Sequence, residues 1–243
     1  RRMTEGLGDF DDLSGATVII GYHTERTPRM IKDIFSGRDG DKDIVILADQ
    51  KNVLIPDDVR FVFSERLDHE EALLRSATRQ ADKVLIYTET DSQTFNICLA
   101  VREINSAATV AAFFMDRKTA IRAEKFAGID AIVSTSAEML VRAVQDPGSG
   151  SVLMALTAAG HKSTLYSDIL TGINNMSSDD TREAISKHGG TMVAVSKDNE
   201  PPTFSPFPKN LEPGMTVFYI AQIRFEKAVW SDILGMNQKE CLP

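Results

Sequence analysis

The sequence has no apolar run approaching the roughly 20 residues that a helix needs to cross a bilayer, which excludes a helical membrane span within it. Cysteine is scarce. Cys98 and Cys241 alone exclude a disulfide framework, and Cys98 lies in a helical apolar pattern where a small buried thiol is usual, so a reducing compartment is expected. Basic charge is also in short supply, with 27 Lys and Arg against 35 Asp and Glu and a net charge of −8 spread along the chain. Phosphate backbones need a basic footprint, so nucleic acid is excluded as a partner. There is no secretory signal. Metal-helix, Walker-loop, nucleophile-elbow and C-x-x-C patterns are all missing, and the four histidines, His23, His69, His161 and His188, show no metal-ligand spacing. The expectation is a protein that is not an enzyme.

What is present is an ordinary globular composition, 42% apolar and 26% charged over 243 residues, long enough for one large domain or two smaller ones. Short β-branched runs at 16–22, 43–48, 59–63, 83–87, 109–114 and 131–134 alternate with helical patterns at 28–35, 70–78, 91–105 and 118–127. Alternation of this kind needs crossover connections, hence a parallel sheet with helices on both faces. The 91–105 helix carries apolar residues on more than one face and is expected to be buried on two sides. Turn formers at Asp146 to Gly150 then mark a boundary. Beyond it, Ser151 is expected to cap a helix through Leu156, and a second helix to run through Leu165, Ile169 and Leu170. Asp180 and Glu183 have capping-box spacing for a short helix, and 191–196 and 215–223 read as an antiparallel pair. The division expected is a linker at 1–12, a Rossmann-like doubly wound parallel sheet at 13–146, a helical crossover and smaller C-terminal α+β lobe at 147–230, and a tail at 231–243. The opening Arg1-Arg2-Met3 reads as an internal boundary of a longer protein.

The first strand ends on Gly21, the place where a dinucleotide-binding fold begins G-x-G-x-x-G. His23 and Arg26 stand where the second and third glycines belong, so NAD as a hydride carrier is not expected. Thr27 is a candidate cap for the helix that Pro28 opens. His23 and Arg26 either hold a phosphate or other anion beside the helix N-terminus, or are solvated loop residues or subunit contacts. Asp49, at the end of the second strand, is either a ribose ligand or a turn residue. Glu89, Asp91 and Asp116 gather carboxylates at the C-terminal edge of the sheet, either as ligands for calcium or another hard cation, or with Asp91 and Asp116 as helix caps.

Three segments carry a resemblance. Gly6 to Phe10 with Leu13 to Tyr22, then TDSQTFNICLAVREIN at 90–105 and RAEKFAGIDAIVSTS at 122–136, occur together and in order. They resemble RCK domains, the regulators of potassium conductance also described as KTN or TrkA-N domains, well over about residues 13–145 and loosely over 151–225. The middle segment is similar to that family's aspartate, asparagine and later arginine along a helix. The resemblance implies a domain that dimerises through the helices after the sheet and builds a tetrameric or octameric ring beneath a membrane pore, on the same chain or a partner. It would change ring shape on binding calcium, sodium or a nucleotide, at the cytoplasmic face of the cell membrane. The alternative is a soluble regulatory subunit of a potassium-uptake transporter, with an NAD-dependent oxidoreductase third. The calcium ligands of one channel align with Tyr87, Phe114 and Asp116, of which only Asp116 is a carboxylate.

Overall fold

The computed structural model describes residues 6–36, 43–51, 53–157, 163–171, 176–197 and 200–234. The expected linker, where it covers 1–5, and tail, where it covers 235–243, lie outside these residues, as do His161 and Cys241. The chain divides into two compact units, Arg1–Val141 and Arg142–Pro243.

The first unit is a six-stranded parallel sheet in the order β3-β2-β1-β4-β5-β6, formed by β1 (Thr17–Ile20), β2 (Ile44–Ala48), β3 (Val59–Phe63), β4 (Lys83–Ile86), β5 (Thr109–Phe114) and β6 (Asp130–Val133). Every residue of β1 and β2 is buried, because the sheet is covered on both faces and an uninterrupted apolar run suits that better than alternation. On one face Val18, Ile20, Leu47, Val84 and Phe114 pack under α2 (Glu70–Arg75), α3 (Asp91–Ile104) and α4 (Arg117–Ala127). On the other, Ile19, Ile44, Ile46 and Phe61 pack against Ile31 of α1 (Thr27–Ser36). A further helix, α5 (Ser136–Gln145), follows β6 and was not expected from the sequence. The expected two-sided burial of α3 is only partly met: Ile97, Cys98 and Val101 are buried, and Leu99 is 39% exposed. Residues 6–8 lie along the edge of β3, where Leu7 bridges Val62 and Phe63 N–H donates to Gly6 O at 2.9 Å.

The second unit differs from expectation where the sequence is most helical in spacing. The segment carrying Leu165 and Ile169 is a strand, β7 (Thr164–Ile169), following α6 (Ser149–Thr157). The i,i+4 spacing of these two residues suggested a helix face. In the strand both are outward and exposed, while Tyr166 and Asp168 take the other side. Six residues of pairing with β11 (Thr216–Ala221) decide the matter, and β11 also pairs with β9 (Thr191–Ser196), so the expected antiparallel pair is a three-stranded sheet β7-β11-β9. A two-residue pair, β8 (Met176–Ser177) with β10 (Asn210–Leu211), and the helices α7 (Ser178–Lys187) and α8 (Lys227–Ile233) complete the unit. The capping box does not form, since α7 starts after Ser177 and that residue makes no side-chain cap.

Asp168 is the polar centre of this lobe. Its carboxylate accepts from Tyr219 Oη at 2.7 Å, Trp230 Nε1 at 3.2 Å and Arg224 at 3.1 Å. Tyr219 stacks on Phe225 at 4.6 Å and meets Trp230 edge-on at 5.6 Å. Burial pushes the Tyr219 phenol well above its ordinary value.

Candidate ligand-binding cleft

Strand order reverses between β1 and β4, and in open α/β sheets the crevice at such a point, beyond the carboxyl ends of the strands, is where ligands bind. Gly21 sits there with φ +97°, and a Cβ added to it would lie 2.0 Å from Tyr87 O. Its glycine character is required by this approach of β4 as well as by the turn. The chain then folds back on itself. His23 O accepts the N–H groups of Arg26 (3.1 Å) and Thr27 (2.9 Å), His23 N–H donates to Thr27 Oγ1 at 2.8 Å, and Glu25 N–H donates to His23 Nδ1 at 3.3 Å. Thr27 therefore closes the turn before α1 rather than capping the helix downstream, which corrects the expected cap. Four donors of the kind a dinucleotide fold offers to a pyrophosphate, the amides of His23, Glu25, Arg26 and Thr27, are here used within the loop.

A cleft of about 310 Å³ opens beside this turn, lined by Gly21, His23, Asp49, Glu89 and the side chains at the ends of β4 and β5. Tyr87 and Phe113 form its aromatic wall, with ring centroids 4.9 Å apart, and His23 meets Tyr87 edge-on at 6.0 Å. Arg26 donates to Tyr87 Oη and lies over the same ring, 5.2 Å from its centroid. Four of the expected site residues thus come together, and Arg26 is tied to them through Tyr87. Sequence reasoning gave no binding role to Tyr22, Tyr87, Gln93, Phe113 or Met115; the signal available was their position just past or near a strand's carboxyl end.

Asp91 and Asp116 do not line the cleft. Asp91 accepts the N–H groups of Met115 (2.8 Å) and Asp116 (2.7 Å), fastening the start of α3 to the end of β5, and Thr90 instead caps α3 by accepting from Gln93 N–H at 3.3 Å. Asp116 caps α4, and the N–H and hydroxyl of Thr119 hold its carboxyl below the usual carboxylate range. Among the described residues no group of three or more His, Cys, Asp or Glu side chains is placed to hold a metal ion.

The family model of the TrkA-N domain matches residues 18–135, the stretch that carries the sheet and the cleft. The chain contains a TrkA-N domain. No curated protein matches it by sequence. Among solved structures it is similar to the human SLO3 gating ring, at 14% identity and TM-score 0.63 over 90% of this chain and 46% of that one. The GsuK RCK domain (13%, TM-score 0.46, 97% of this chain and 50% of that one) and the TrkA-N domain of the inner membrane protein ybaL from Escherichia coli (14%, TM-score 0.45, 56% and 97%) are further matches. The chain spans under half the length of the SLO3 gating-ring chain, and at these identities the likeness is one of fold.

Within the TrkA-N domain, the arginine of the 90–105 segment is a structural clamp. Arg102 donates to Ala127 O (2.7 Å), Ala108 O (2.6 Å), Gly128 O (2.8 Å) and Ser106 O (3.3 Å), satisfying carbonyls at the end of α4 and in the loop before β5. Asn105, 8% exposed, donates to Thr78 O and Ala81 O and accepts from Ala107 and Ala108 N–H, using its full hydrogen-bonding capacity. These side chains hold the α3–β5 connection and the entries to β4 and β5 in place, at the edge of the sheet opposite the cleft.

Proposed function

We propose that this chain is the cytosolic ligand-sensing gating domain of a potassium channel, acting at the cytoplasmic face of the membrane through a ring of assembled domains. The observation that carries the reading is the cleft at the switch point of a TrkA-N domain, furnished with recognition groups and without a paired nucleophile and base. Gly21, His23, Arg26, Asp49 and Glu89 are assigned to that sensing cleft, with Tyr87 and Phe113 as its wall. Because the loop uses its own amides, NAD binds weakly and serves no hydride transfer. The test is rubidium flux in potassium-uptake-deficient cells expressing the whole gene. Gating that disappears when residues 18–135 are removed supports the reading, and flux with unchanged regulation sinks it. A soluble regulatory subunit of an uptake transporter would rely on the same cleft. The two separate on whether this chain purifies covalently joined to a pore.

Self-association has its own support. On α6, Val152, Leu153 and Met154 are 59%, 45% and 65% exposed, an apolar turn of helix that gains from burial against a second copy. Leu170, expected to contribute, lies instead in the core of its own unit. A symmetric dimer is the simplest closed arrangement.

A further inference from the structure

The cleft is built for a different charge from the one its fold suggests. Two carboxylates, Asp49 and Glu89, line it, both exposed, and among the described residues no lysine or arginine does. Neither carboxylate has a hydrogen-bond or ion-pair partner among the described residues. The amides of His23, Glu25, Arg26 and Thr27, where an anion would be received, are hydrogen-bonded inside their own loop. Beside the carboxylates stand the rings of Tyr87 and Phe113, tilted 31° to one another. An independent observation shows what this wall attracts: the protein's own guanidinium, Arg26, lies over the Tyr87 ring at 5.2 Å. The face of an aromatic ring is negative and draws cations, most strongly where water is partly excluded.

We propose that the cleft takes a compact organic cation of the quaternary-ammonium class and refuses phosphorylated ligands. Two carboxylates against the single neighbouring guanidinium leave the site negative on balance, so a cation gains Coulomb energy from Asp49 and Glu89 and contact with the rings. A phosphate meets the same carboxylates, while the amides of His23, Glu25, Arg26 and Thr27 are already engaged within the loop. A volume of about 310 Å³, at the small end of ligand pockets, suits a body of this size. Arg26 acts as a tethered competitor for the Tyr87 face. This inference rests on the reading of the cleft as the sensing site, but its test reads binding to the chain directly and so fails independently of any gating measurement.

The probe is choline, titrated by calorimetry and by NMR shifts of the cleft residues, with 3,3-dimethylbutanol as its uncharged isostere and AMP as the anion. Choline is expected to bind roughly tenfold more tightly than the alcohol, the scale of a partly desolvated cation–π contact. Asp49→Asn combined with Glu89→Gln should weaken choline about tenfold, with melting checked to show that these exposed changes leave the fold intact. Arg26→Gln should tighten it severalfold, a sign that a merely structural role for Arg26 does not give. Equal binding of the alcohol, an unaltered affinity in the double variant, tighter binding of AMP, or no choline binding by about 10 mM each overturns the proposal.

Discussion

Asn105 offers the sharpest test of how the loops entering β4 and β5 are held. Its Nδ2 donates to Thr78 O and Ala81 O at 2.9 Å each, and its Oδ1 accepts from Ala107 N–H at 3.1 Å and Ala108 N–H at 3.0 Å. Replacing it by alanine removes partners from two carbonyls and two amides at a largely buried position. Each unsatisfied group costs about 1–3 kcal/mol, and water entering the vacated space recovers part of this, so we expect a loss of about 3–5 kcal/mol. Urea unfolding of the chain, followed by circular dichroism, should show the midpoint of the TrkA-N domain falling at unchanged slope, and melting should drop by about 6–15 °C. Asn105→Asp adds a sign test. A carboxylate facing Thr78 O and Ala81 O has its folded pKa raised, so stability is retained below the unfolded value of about 4 and lost as pH rises through the folded value. A loss below about 1 kcal/mol in the alanine variant, or an aspartate variant whose stability rises with pH through this window, would refute the hydrogen-bond account.

Arg102→Met should destabilise the domain by about 2–4 kcal/mol in the same assay, with Arg102→Lys recovering little because an ammonium cannot reproduce the planar fork. In Gly21→Ala, a Cβ 2.0 Å from Tyr87 O at φ +97° should cost at least about 3 kcal/mol and shift the Tyr87 resonances, and a variant of wild-type stability would show the contact to be wrong. Asp168→Ala should red-shift the emission of Trp230, the sole tryptophan, and lower the melting of the C-terminal unit by about 2 kcal/mol; unchanged emission would count against its hydrogen bond. Burial pushes the Cys98 thiol up to about 12 from 9, so in a Cys241→Ser background it should resist thiol reagents until unfolding. The folded thiol keeps its proton above pH 9 where the unfolded one loses it, so stability falls as pH rises from about 9 to about 12. Leu153→Asp with Leu156→Asp should convert a dimer to a folded monomer by light scattering, each lost burial being worth about 1.5–3 kcal/mol; a persistent dimer would clear α6 of that role.

The sequence by itself determined the parallel sheet, because β-branched runs such as Thr17–Ile20 and Ile44–Ala48, buried on both faces, leave a local signature that tertiary context does not alter. It also located Gly21, His23, Asp49 and Glu89, since strand ends in a doubly wound fold are predictable positions. The β7 strand was not legible, because a four-residue apolar spacing fits a helix until β11 supplies a six-residue partner far along the chain. Nor could the roles of Asp91 and Asp116 be separated. Both looked like caps or ligands, and only the meeting of the start of α3 with the end of β5 gives Asp91 two amides to accept from and leaves capping to Thr90 and Asp116. The same holds for the aromatic wall: Tyr87 and Phe113 lie 26 positions apart in sequence, and adjacent parallel strands bring their rings to 4.9 Å. Local pattern fixes which element a residue belongs to, whereas its partners across the sheet, often with no sequence signal, fix what its side chain does.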